Sequence, residues 1–221
     1  MAYKLMGANV SPFVRKVRVL LAEKGIPYDH EAVSPFAPPP NWRDISPLGK
    51  IPAFVDDTKV VNDSSVICQY IERKNKAVPM LPADDDGYIQ ALWLEEYIDG
   101  GLTAVAGGKV FFPLIIAPMR TKAAPDAAAR AEAAKVVAEE LPTYWAYLEA
   151  QLGDGQFFVN NTLSLADIAI ASVHVNLLHA KVKVDGARFP KLAAFMERMF
   201  ARPSFKALIE EEAPTWTLKS A

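Results

Sequence analysis

A serine followed by proline, a lysine ahead of Ile-Pro and an Asp-Ser pair are the residues of this chain best suited to chemistry. In Val10-Ser11-Pro12-Phe13 the serine stands at a strand-to-helix turn, beside backbone N–H groups that have no carbonyl partner in a first helical turn. The positive end of the helix dipole adds to them, so a thiolate set against Ser11 is stabilised and its thiol ionises more readily. In Lys50-Ile51-Pro52 a proline opens a strand after a long loop, a setting that favours a cis peptide bond. The N–H and C=O of Ile51 can then pair with an extended, peptide-like ligand, and Lys50 can meet a terminal carboxylate. In Asp63-Ser64, at the start of a further helix, Ser64 offers its hydroxyl and N–H to a carboxylate while Asp63 offers charge to an ammonium group. Those are the requirements of an α-amino acid head. Taken singly, each pattern is equally that of a helix cap, a trans proline or a solvated lysine.

The secondary structure around these residues can be read from pattern and punctuation. Tyr3 to Met6 reads as a strand ending at Gly7, and Ser11-Pro12 opens a helix with Val14, Val17 and Leu21 on one face. Gly25 stops that helix, and Tyr28 to Val33 reads as a second strand, completing a β-α-β unit. A proline-rich connection, Ser34 to Pro47, leads to Ile51–Val55 and Lys59–Val61, which flank the turn Asp56-Asp57-Thr58. Asp63-Ser64-Ser65 then opens a helix through Ile67, Tyr70 and Ile71. The first region therefore runs β-α-β, then β-β-α.

Beyond Pro79 the pattern is helical. Met80 to Gly87 reads as a linker whose acidic run Asp84-Asp85-Asp86 caps the next helix. Ile89, Leu92, Trp93 and Tyr97 keep a helical period up to Gly100-Gly101, and Val110 to Met119 is broken by Pro113 and Pro118. From Asp126 the positions Val137, Leu141, Trp145, Leu148 and Leu152 form a buried face, kinked at Pro142. Ser164 and Asp167 read as a capping box ahead of Ile168 to Leu178, apolar nearly all round. The expected domains are residues 1–79, a linker at 80–87, and an all-α region at 88–221.

Composition removes other classes. The formal charge is −2 and no basic block stands out, so a nucleic-acid partner is not expected. Cys68 is the only cysteine, which excludes an internal disulfide and a cysteine-based zinc site. His30, His174 and His179 lack metal-ligand spacing, so no metal is expected. The opening Met1–Gly7 is too short an apolar stretch for a signal peptide, and the interrupted apolar run argues against a membrane span, leaving the cytoplasm as the expected address.

The segments Ser11–Arg18, Gly25-Ile26-Pro27-Tyr28, Ser46–Pro52 and Asp63–Ile71 resemble the glutathione transferase family in order and spacing, and Ser164-Leu165-Ala166-Asp167 is similar to that family's signature at the core helix. The resemblance spans essentially the whole chain. It implies a thioredoxin-like α/β domain that holds glutathione as cosubstrate, followed by an all-α helical bundle that contributes a pocket for hydrophobic electrophiles. It also implies that Ser11 donates to the glutathione thiolate and that Ile51 pairs with the cysteinyl backbone. Lys50 would approach the glycine carboxylate, and Asp63 with Ser64 would hold the γ-glutamyl end. Phe13, Phe111 and Phe112 would line the electrophile pocket, with Trp93 as a further lining residue. A homodimer is implied, with Asp99 reaching toward the partner's ligand.

The Ser-Pro-Phe start is similar to the serine-type, tau-, theta- and zeta-like classes. Absence of cysteine at position 11 sets the chain apart from the thiol-transferase classes, and Asp63 stands where a glutamate is common. Beside conjugation and detoxification, the resemblance leaves open a glutathione-binding carrier with little turnover, and glutathione-dependent peroxide reduction or isomerisation.

Overall fold

The computed structural model describes residues 3–57 and 59–216. Thr58, assigned above to a turn, and Met1-Ala2 of the opening stretch lie outside the described residues. The chain forms two compact units, Met1–Leu81 and Pro82–Ala221.

The first unit contains β1 (Tyr3–Met6), α1 (Pro12–Glu23), β2 (Tyr28–Glu31), α2 (Trp42–Ile45), β3 (Ala53–Asp56), β4 (Lys59–Asn62) and α3 (Ser64–Lys74). Its sheet has the order β2-β1-β3-β4. β1 and β2 are parallel, which requires the helical crossover that α1 supplies, whereas β1–β3 and β3–β4 are antiparallel. Side chains alternate across this sheet. Leu5 pairs with Phe54, and Phe54 meets Tyr70 of α3 with ring centroids 6.4 Å apart. Met6 pairs with Ala53 on the opposite face, where both join Val33 and Trp42 in a second cluster. Trp42 belongs to α2, a short helix within the proline-rich connection that the sequence pattern did not announce. Each fully buried Leu, Ile or Phe in these layers contributes about 1.5–3 kcal/mol.

α1 departs from a simple amphipathic helix. Every residue from Val14 to Leu21 is buried, including Arg15, Lys16 and Arg18. At its end Lys24 anchors α3: its Nζ lies 2.6 Å from Glu72 Oε1 and donates to the carbonyls of Asn75 at 2.8 Å and Val78 at 2.5 Å.

The second unit contains α4 (Asp85–Thr121), α5 (Ala127–Glu139), α6 (Leu141–Leu152), α7 (Leu165–His179), α8 (Pro190–Ala201) and α9 (Pro203–Trp216). Two sequence expectations are corrected in α4. The helix does not stop at Gly100-Gly101, and Pro113 and Pro118 do not break it. Tyr97–Leu102 and Ala106–Ile116 are wound as π-helix, and the wider turn around Pro113 relieves the clash a proline ring makes with the carbonyl one turn earlier. α4 is consequently long and apolar enough, by length and composition, to cross a membrane. Leu94, Ile98, Leu102, Val105, Val110 and Phe111 along it are nevertheless buried. At Pro142 the expected kink is a break, with α5 ending at Glu139 and α6 beginning at Leu141.

α7 is the central helix, buried without interruption from Leu165 to Leu177. At its start the N–H and hydroxyl of Ser164 both donate to Asp167 Oδ2, at 2.8 and 2.7 Å. The N–H of Phe158 donates to Asp167 Oδ1 at 2.9 Å. Two turns further on, His174 Nε2 accepts from Trp145 Nε1 at 3.1 Å, and its Nδ1 donates to the Ile170 carbonyl at 2.7 Å.

Candidate active site

The site is built from three turns of the first unit, and Gly7 shows how two of them meet. Its φ is +155°, and a Cβ placed there would lie 2.5 Å from Val14 Cγ2 and 3.3 Å from Ile51 Cβ. A side chain at position 7 would push apart the start of α1 and the Ile51-Pro52 turn, so glycine lets the two approach. The Ile51-Pro52 peptide is cis. The third turn is tied in by Lys16, whose Nζ donates to Ser65 Oγ at 3.2 Å and so links α1 to the first turn of α3.

Ser11 caps α1 with extended backbone angles, followed by Pro12 at the first helical position. Its Oγ accepts from the Val14 N–H at 3.4 Å, longer than the 2.7–3.2 Å of an ordinary N–H···O bond. The hydroxyl proton is donated to no described residue, so Ser11 carries a donor at the positive end of the helix. Arg15, fully buried, donates to the Val10 carbonyl at 3.3 Å and fixes the turn from behind.

Among the described residues neither backbone group of Ile51 is hydrogen-bonded, leaving a peptide edge for an extended ligand. The preceding carbonyl, of Lys50, accepts from Ser46 Oγ at 2.8 Å. The Lys50 side chain is exposed and makes no ion pair among the described residues.

Asp63 adopts φ +72°, uncommon for a residue other than glycine, and its Oδ1 accepts from the N–H groups of Ser65 at 2.9 Å and Val66 at 3.3 Å. Aspartate is among the preferred residues for such a cap. Oδ2 remains for a cation. Ser64 is 4% exposed, yet its hydroxyl has no hydrogen-bond partner among the described residues. That oxygen is not among the fully buried unpartnered atoms, so it can be reached by an acceptor from outside.

Of the residues expected to meet an electrophile, Phe13 lies half-buried in the first turn of α1. Phe111 and Phe112 belong to the second unit, on the π-wound part of α4, the first buried and the second exposed. Trp93 is exposed, and its Nε1 donates to Tyr147 Oη at 2.6 Å, with Tyr97 packed beside both. Burial, with the hydroxyls of Tyr144 and Tyr147 nearby, pushes the Tyr97 phenol up to about 12. Cys68 is buried. No group of His, Cys, Asp or Glu suited to a metal ion occurs among the described residues.

Motif reading missed Gly7, Arg15, Lys16 and Ser65. The signal was present in α1. Val14, Val17, Val19, Leu20 and Leu21 leave so little of the helix for solvent that basic residues among them must be buried and partnered.

Both units are similar to known proteins. Residues 5–89 match the model for the glutathione S-transferase N-terminal domain, and residues 115–212 the model for the glutathione S-transferase C-terminal domain. The chain is 32% identical over 205 residues to the uncharacterized GST-like protein YibF of Escherichia coli (strain K12), covering 91% of this chain and 96% of that one. It is 29% identical to glutathione S-transferase 3 of Zea mays, over 93% of this chain and 92% of that one. Among solved structures, a glutathione S-transferase from Methylobacterium radiotolerans in complex with glutathione sulfonate superposes with a TM-score of 0.75 at 30% identity, covering 95% of each chain.

Proposed function

The chain belongs to the glutathione S-transferase family, a glutathione transferase with a thioredoxin-like first unit and a helical second one, and from that premise we propose that it conjugates glutathione to hydrophobic electrophiles, with Ser11 stabilising the thiolate. The observation that carries this reading is the convergence of three incompletely satisfied turns within one unit, through Gly7 and the Lys16–Ser65 bond.

Each turn matches one part of the tripeptide. The Ser11 hydroxyl donates to the sulfur, and the α1 terminus lowers the thiol's pKa toward the working pH. Ile51 pairs its free peptide groups with the cysteinyl backbone, and Lys50 meets the glycine carboxylate. Asp63 Oδ2 takes the γ-glutamyl ammonium while Ser64 takes the α-carboxylate. The thiolate then attacks an electrophilic carbon: a C–S bond forms, and the electron pair leaves with the departing group or, in an addition, is quenched by a proton. Phe13, Phe111 and Phe112 are assigned to the apolar electrophile, Phe112 being the exposed member of its pair. The protein acts as a homodimer in the cytoplasm, where glutathione is kept reduced.

Steady-state conjugation of glutathione to a chromogenic aryl halide, in the wild type and in Ser11→Ala, is the direct test. Turnover that survives the substitution unchanged would remove Ser11 from the mechanism. Saturable glutathione binding with no turnover on any electrophile, peroxide or isomerisable substrate would favour a carrier instead.

A further inference from the structure

Lys16 is the charged residue of the first unit whose position the proposed chemistry leaves unexplained. Its side chain starts from α1 five residues after Ser11, among the buried Val14, Val17, Val19 and Leu20 and the buried Arg15 and Arg18. Only 1% of the residue is exposed. Taking an ammonium out of water is costly, so its destination is informative. That destination includes Ser65 Oγ, at 3.2 Å, in the first turn of α3. The adjoining residues of the turn are Asp63, whose Oδ1 is held by the Ser65 and Val66 N–H groups, and Ser64, whose hydroxyl has no partner among the described residues.

We propose that Lys16 is a positioning residue for the carboxylate-binding end of the site, holding the first turn of α3 from beneath and setting a positive charge behind the place where an α-carboxylate docks on Ser64. The proposal rests on the glutathione reading given above and adds to it a specificity determinant drawn from α1. The helix terminus alone offers dipoles, and dipoles favour any anion within about one turn. A buried ammonium bonded to the neighbouring serine strengthens the field and fixes the turn's geometry together. Lys16 does not touch the ligand in this arrangement. Its effect is exerted through Ser65 and is confined to the ligand's carboxylate, leaving the sulfur chemistry at Ser11 to proceed once the tripeptide is bound.

The test uses the full chain and two ligands: glutathione, and its analogue lacking only the α-carboxylate of the γ-glutamyl residue. In the wild type, glutathione is expected to bind at least about tenfold more tightly than the analogue. In Lys16→Met that ratio should fall several-fold toward one, through weaker glutathione binding and a raised KM for glutathione, while kcat at saturation changes little. Lys16→Arg should restore most of the ratio. Because the ratio is read within a single variant, a loss of folded protein lowers both signals equally and leaves it unchanged.

Should Lys16→Met not fold, Ser65→Ala carries the same test, since it removes the hydroxyl through which Lys16 reaches this turn and keeps the helix; it should reduce the ratio in the same direction. A wild-type ratio in the folded variant, or an equal loss of affinity for both ligands, overturns the role of Lys16 while leaving the glutathione site intact. A wild type that binds neither ligand overturns the functional reading, and this proposal with it.

Discussion

Two kinds of helix start in this chain look alike in sequence and behave oppositely in structure. Ser164 at the start of α7 is closed: its N–H and hydroxyl both go to Asp167, whose other oxygen takes the Phe158 N–H, and all of it is buried. Ser11 at α1 and Ser64 at α3 are open. One holds a cap bond stretched to 3.4 Å, and the other is buried with no hydrogen-bond partner among the described residues. The difference lies in the residue one turn beyond each serine. Asp167, three residues on, reaches back to close the turn; Val14, at the corresponding position of α1, cannot, and in α3 the cap is Asp63, which holds the Ser65 and Val66 N–H groups and leaves the Ser64 hydroxyl to a ligand. A helix terminus that satisfies itself serves the fold, and one that does not is left for a ligand.

The most severe test of this contrast is to open the closed end. Asp167→Ala strands the Phe158 and Ser164 N–H groups in the core, at an expected cost of roughly 3–5 kcal/mol in urea unfolding. Glutathione affinity per folded molecule should stay at the wild-type level. A stable variant that bound glutathione poorly would reverse the assignment of the two regions.

Ser11→Ala should do the opposite. Removing a single donor to a developing or stabilised anion typically lowers kcat by about 10²–10³-fold. The cap bond lost is long, so the change in unfolding free energy should stay under about 1 kcal/mol. A large stability loss with modest kinetic change would make Ser11 an ordinary cap.

Ser64→Ala probes the open ends more finely, because it deletes a hydroxyl that has nothing to lose in the unliganded protein. Stability should move by no more than about 0.5 kcal/mol, in either direction. The glutathione dissociation constant, measured calorimetrically, should rise about tenfold. Equal binding by wild type and variant would mean that the carboxylate docks elsewhere.

How much of this was legible in the residues divides along the same line. The β-α-β and β-β-α order could be read because turns and caps are local: Gly7, Ser11-Pro12, Gly25 and Asp63-Ser64 mark the boundaries where the chain places them. The course of α4 could not. Gly100-Gly101, Pro113 and Pro118 are breakers by local rule, and only burial of Leu94, Ile98, Leu102 and Val110 with π winding carries the helix past them. The candidate residues with their own motif, Ser11, Ile51 and Ser64, could be read. Lys16 and Arg15 were not, because charge by itself reads as solvent and their burial depends on what packs around α1.

The effect most specific to the closed region is a pH dependence. Burial pushes His174 down to about 4 from an ordinary value near 6.5, because the charged imidazolium loses its water there, and the bond to the Ile170 carbonyl pulls the other way without offsetting it. The unfolded chain then binds the proton more readily, so this stability is present above pH 6.5 and is lost as the pH falls toward 4. Asp167 acts in the reverse sense. Burial raises its carboxyl to about 6 against the pull of its three donors, so its contribution is present below about pH 4 and is lost as the pH rises through 6.

The two slopes oppose each other between about pH 4 and 6, leaving the wild type nearly flat with respect to this pair. His174→Gln removes one of them. Wild-type minus variant unfolding free energy should climb by just under about 1.4 kcal/mol per pH unit from about pH 4 to 6.5, then level off. The same difference taken with Ser11→Ala or Ser64→Ala should stay flat across that range, since each substitution removes a hydroxyl and no titrating group. A sloping line for either serine would tie the open ends to the fold and dissolve the distinction between them and α7.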